Sequence, residues 1–111
     1  MSRKMSNMRK THALVQVAAA LLEEPHGRHW GYDKAKKAGV RSSVLYPIFS
    51  RMLEEGWLTD GWEDASTISG RPPRRYYMLT SLGLARLGAV LADASRDARF
   101  GRLNLKPRLT Q

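Results

Sequence analysis

A chain of 111 residues can hold one domain with a modest core and is too short for two. A mean hydropathy of −0.46 without a long apolar run excludes a membrane-spanning helix, and the basic stretch before Lys10 leads into no secretory apolar segment. The sequence contains no cysteine, which excludes a disulfide framework and thiolate metal sites and suits a reducing cytoplasm, while 19 Lys and Arg against 10 Asp and Glu leave a formal charge of +9 that would attract a polyanion.

The cations are segregated. Arg3, Lys4, Arg9 and Lys10 precede the first acid, and Arg99, Arg102, Lys106 and Arg108 follow the last, so segments 1–9 and 98–111 read as mobile basic arms. Inside the chain, Lys34, Lys36, Lys37 and Arg41 form one cluster, and Arg71, Arg74 and Arg75 another. The acids lie elsewhere, at Glu23-Glu24, Glu54-Glu55 and between Asp60 and Asp64. A one-sided basic surface requires this separation.

In chain order, the first helix is predicted from about Lys10 to Glu24. Leu14, Val17, Ala18, Leu21 and Leu22 fall at helical spacing, and Pro25 and Gly27 end it. A short second helix over Tyr32–Ala38 closes at Gly39, the residue that best tolerates a left-handed turn. A third is expected from Ser42 to Glu55, capped by Ser42 or Ser43, with Leu45, Ile48, Phe49 and Met52 inward. Residues 57–62 then read as a strand, and Arg74 to Leu79 as a second, with a polar tip and Pro72-Pro73 between them. Thr80 or Ser81 should cap a fourth helix lasting to about Asp97. The expected order is α-α-α-β-β-α, mainly helical with one small hairpin.

Helices two and three, joined through Ala38-Gly39-Val40-Arg41, make a helix-turn-helix, and the hairpin beside them makes it winged. Such a pair sets its second helix in the DNA major groove. The outward face of that helix would be Ser42, Ser43, Tyr46, Ser50 and Arg51, with Lys34, Lys36, Lys37 and Arg41 at its margins on the backbone. Arg71, Arg74 and Arg75, with no acid adjacent in sequence, suit a wing that reaches phosphates or a narrow minor groove. Residues 10–80 would form this DNA-binding domain.

From Trp30 to about Leu91 the sequence resembles the PadR family of bacterial transcription regulators. The resemblance rests on Gly31-Tyr32-Asp33, Leu45-Tyr46-Pro47, Arg51-Met52-Leu53-Glu54-Glu55-Gly56-Trp57-Leu58, Gly70-Arg71-Pro72, Arg74-Arg75-Tyr76-Tyr77 and Leu79-Thr80. It implies a winged helix-turn-helix that binds a near-palindromic operator as a dimer, most often to repress. It also implies that Tyr46 lies on the DNA face and that Arg71, Arg74 and Arg75 lie in the wing. Lys34 departs from a usually apolar position, the doubled Pro72-Pro73 leaves the wing register open, and the fourth helix is short, as in smaller members.

That helix, taken as 81–97, carries Leu84, Leu87, Leu91 and Ala94 at 3-4-3 spacing. With Leu14, Val17 and Leu21 of the first helix these are expected to form a two-fold homodimer interface; packing within one chain is the alternative. Some small relatives bind flat aromatic drugs in a pore at that interface. Here the fourth helix has no aromatic residue, and Trp30, Trp57 and Trp62 are assigned to anchoring the hairpin and core, so an effector stays unassigned. No catalytic residue, metal or cofactor is expected, because His12, His26 and His29 lack cysteine or acidic partners and no phosphate loop is present. Two other roles share this architecture: an architectural or recombination accessory protein of a phage or mobile element, and a winged helix used for protein contact.

Overall fold

The computed structural model describes residues 8–101, so most of the expected N-terminal arm and the tail from residue 102 onward lie outside the described residues. Helix α1 spans His12–Leu22, with Thr11 as its N-cap accepting the Leu14 amide at 3.1 Å. Strand β1, His29–Trp30, leads directly into α2, Gly31–Ala38, and α3 follows over Ser42–Glu54. Strands β2, Leu58–Trp62, and β3, Arg75–Leu79, precede α4, Ser81–Ser95. The chain is thus mainly helical, with four helices and a three-stranded antiparallel sheet in the order β1-β3-β2.

Strand β1 corrects the expected order to α-β-α-α-β-β-α. It pairs only His29 with Tyr77 and Trp30 with Tyr76, too short a run to leave an alternating pattern in the sequence. Capping differs as well. The N-cap of α3 is Arg41, which makes no side-chain cap bond, whereas Thr80 caps α4 by accepting the Gly83 amide at 3.0 Å. Pro47 lies inside α3 without ending it, which leaves the Ser43 carbonyl without its amide donor on the exposed side of the helix.

The core is built around α1, which packs against α2, α3 and α4. Leu14, Val17 and Leu21 are buried in the single chain, as are Leu87, Leu91 and Ala94 of α4, and Leu84 is half-buried. The expected dimer seam is therefore largely the intramolecular α1–α4 contact. An apolar stripe fixes that a helix buries one side but not whose helix covers it. Leu45, Phe49 and Met52 of α3 complete the core, and Phe49 meets the Tyr77 ring at 4.6 Å.

Order continues past α4. Asp97 accepts the Arg99 amide at 2.9 Å to cap a 3₁₀ turn over Ala98–Phe100. Phe100 enters the core, its ring 4.7 Å from that of His12, and His12 Nε2 donates to the Arg99 carbonyl at 2.9 Å. Residues 98–101, expected to begin a mobile tail, instead latch onto the start of α1.

Candidate nucleic-acid interface

The helix pair turns at Gly39, whose φ of 74° is the left-handed value that a side chain would strain. The Val40 amide closes the turn on the Ala35 carbonyl at 3.0 Å, and Ala35 and Leu45 are buried between the helices. This leaves Ser42, Ser43, Tyr46 and Ser50 exposed on α3, with Arg41 exposed at its start and Arg51 half-buried, 3.8 Å from Glu54. Lys36 and Lys37 are exposed on α2, and Lys37 pairs with Glu23 at 3.1 Å.

Lys34 is the exception. It is only 4% exposed, its ammonium 3.9 Å from Glu24, and burial followed by the charge of Lys37 lowers its pKa. Placing it at a DNA margin is therefore corrected: the side chain lies inward on α2, which is why an apolar residue suits the position. Tyr46 has a second role besides its exposed edge. A Cβ added at Gly31 would overlap the Tyr46 ring, so the glycine that starts α2 admits the phenol of α3. Both residues stood in the sequence motifs, but nothing there showed that they touch.

In the wing, Asp60 opposes Tyr77 and Trp62 opposes Arg75, which fixes the register, and the Glu63 amide extends the ladder to the Arg74 carbonyl at 2.9 Å. Pro72 and Pro73 lie in the tip outside this ladder, near Gly70 with its φ of 84°. The arginines are not without acids, contrary to expectation. Arg71 grips Glu63 with two bonds of 2.7 and 3.0 Å, and Arg75 holds Asp60 at 2.8 Å. Hairpin pairing brings across acids that are 8 and 15 residues away in sequence. The Arg71 hydrogen bond, with the Arg74 amide, holds the Glu63 carboxyl down to about 2. Arg74, its guanidinium 5.4 Å from the Trp30 ring, is more loosely held by Glu63, at 3.9 Å.

Sheet pleating sorts the remaining aromatics. On one face Arg28 lies 4.1 Å over Tyr76, and Trp30 meets Tyr76 edge-on at 5.7 Å. Tyr77 and Leu58 are buried on the other face. Trp57 is buried and Trp30 half-buried, as structural anchors should be, but Trp62 is 64% exposed and anchors nothing in the core. Its sequence position at the end of a strand could not distinguish these cases.

The histidines do not converge. His26 is exposed whereas His29 is fully buried, so the pair does not share a surface. Among the described residues no cluster of three His, Cys, Asp or Glu side chains could hold a metal ion, and no helix is long and apolar enough to cross a membrane.

A comparison with curated proteins finds no match. The model of the transcriptional regulator PadR-like family matches residues 22–89, from the end of α1 through the helix pair and wing into α4. With that match over more than half its length, the chain belongs to the PadR-like family of transcriptional regulators.

Proposed function

We propose that this regulator binds double-stranded DNA sequence-specifically and represses transcription as a homodimer on a near-palindromic operator in the cytoplasm, associated with the nucleoid. The observation that carries the reading is the exposed face of α3 standing beside an arginine-bearing wing. Ser42, Ser43, Tyr46 and Ser50 are the side chains for base edges. Lys36, Lys37, Arg41, Arg51, Arg71, Arg74 and Arg75 hold the phosphate backbone. Repression follows from an operator overlapping a promoter, with no cofactor required. An effector remains unassigned.

The two-fold contact would use the side of α4 away from α1, where Leu82, Ala85, Ala89 and Ala92 are exposed. Binding selection from a random DNA pool, followed by mobility-shift titration, tests the reading. A selected site with two-fold symmetry, whose log K falls steeply against log salt, is expected. Absence of any shift at low salt would end it. An unsymmetric selected site, or one that bends on binding without changing nearby transcription, favours an accessory role.

A further inference from the structure

We propose that Trp62 is a DNA-contacting side chain that lays its indole on the sugars and base edges of a groove wall beside α3. The proposal rests on the DNA-binding reading above and adds a contact that the charged wing does not supply.

An indole that is 64% exposed leaves a large apolar area in water, and Trp62 makes no ring contact among the described residues. Its direction is set by the register. Opposed residues of an antiparallel pair share a face, so Trp62 stands on the same face as Arg75, with Asp60 and Tyr77 one pair further in and Leu58 and Leu79 beyond them. That face is covered by α3 at its inner end, where Tyr77 packs on Phe49. It emerges from under α3 at Arg75, which lines a hollow of about 290 Å³ together with Tyr46 and Tyr77. Trp62 does not line that hollow but is the cross-strand partner of Arg75, so the exposed indole stands beside the arginine that does.

The surroundings select the partner. Arg75 stands directly across from the indole on the same face and neutralises Asp60, Arg71 and Arg74 lie on the same hairpin around Glu63, and the chain carries a formal +9. A second apolar protein surface would have to desolvate those guanidiniums, whereas a nucleic acid duplex pairs them with phosphates and offers sugars and base edges to the ring. The exposed face of α3 is dominated by hydroxyls, so an apolar contact beside it supplies affinity that salt does not weaken.

The test titrates the full chain with its selected duplex at several salt concentrations, using wild type, Trp62→Phe, Trp62→Ala and Arg74→Ala, each checked for a cooperative melt. Duplex should quench tryptophan emission in wild type, and most of that change should vanish in Trp62→Phe, which keeps the hairpin's aromatic bulk. Trp62→Ala should weaken binding on the order of tenfold at every salt concentration without altering the salt slope. Arg74→Ala should weaken binding and flatten the slope by about one. Wild-type affinity and an undiminished emission change in the Trp62 variants would overturn the contact while leaving DNA binding intact. A Trp62 variant that changes only the oligomeric state would overturn it in favour of a protein contact. Failure of wild type to bind any duplex would remove the underlying reading as well.

Discussion

His29 carries its imidazole fully into the core, where neither ring nitrogen finds a well-formed hydrogen bond among the described residues. Burial is the largest cause, and the Lys34 charge the next, of a pKa lowered from 6.5 to about 4; nearby Glu24 opposes the shift in part and Lys37 adds to it. The folded chain therefore holds His29 neutral where the unfolded chain would take up a proton. Stability is intact above pH 6.5 and is lost as pH falls toward 4, by roughly 3 kcal/mol in all. Denaturant unfolding from pH 7.5 down to 4.5 should show this loss in wild type and a flatter profile in His29→Leu. Parallel profiles would assign the loss to other groups. Glu63 and Asp97, both held near 2, titrate below that window. Glu63 supports a second expectation. Replacing it by Gln releases Arg71 and removes a negative charge from the wing, so affinity for random duplex should rise severalfold at low salt and the salt slope should steepen. Mobility shifts on non-cognate DNA measure this, and unchanged binding would mean that the ion pair opens without cost when DNA arrives.

The elements meet at a junction where the end of α3, the start of β2 and the first turn of α4 converge. The Thr80 amide donates to the Trp57 carbonyl at 3.0 Å, and the Thr80 hydroxyl donates to the Gly56 carbonyl at 2.6 Å. Gly83 sits against the same Trp57 carbonyl so closely that a Cβ would overlap it, and a backbone atom cannot step aside as a side chain can. Gly83→Ala should therefore destabilise by about 1–3 kcal/mol. At Gly88, further along α4 and on another side of it, an added Cβ meets nothing within 4 Å, and Ala should stabilise by about 0.5–1 kcal/mol. Opposite shifts in melting temperature check the pair. The helices, the Gly39 turn and the hairpin were legible because each is signalled locally, by helical spacing, a turn glycine or alternation between punctuating residues. Strand β1 was not, because its two residues are strand only through pairing with Tyr76 and Tyr77. The acids that restrain Arg71 and Arg75 were hidden for the same reason: cross-strand neighbours are set by register, not by sequence distance.

At the scale of the molecule, the leucine spacing of α4 was legible and its partner was not. Leu87 and Leu91 close the chain's own core against α1, and Phe100 seals the end of that contact, so a single chain covers most of its large apolar side chains. Dimerisation is then not needed to complete the core, and the proposed two-fold contact is assigned to the outer side of α4, where Ala85, Ala89 and Ala92 share one exposed face with Leu82. Small side chains there would let two helices approach closely, and a long charged one would hold them apart. Sedimentation at micromolar concentration should give a species of twice 12.5 kDa. Ala89→Arg should return it to one chain while the melt stays cooperative, because position 89 contributes nothing to the buried core. The DNA consequence separates the two parts of the functional reading. A monomeric Ala89→Arg variant keeps α3 and the wing, so it should still bind a half-site but lose the preference for two half-sites in fixed symmetric spacing. A wild-type chain that sediments only at 12.5 kDa would remove the palindromic operator and leave the groove-reading surface standing.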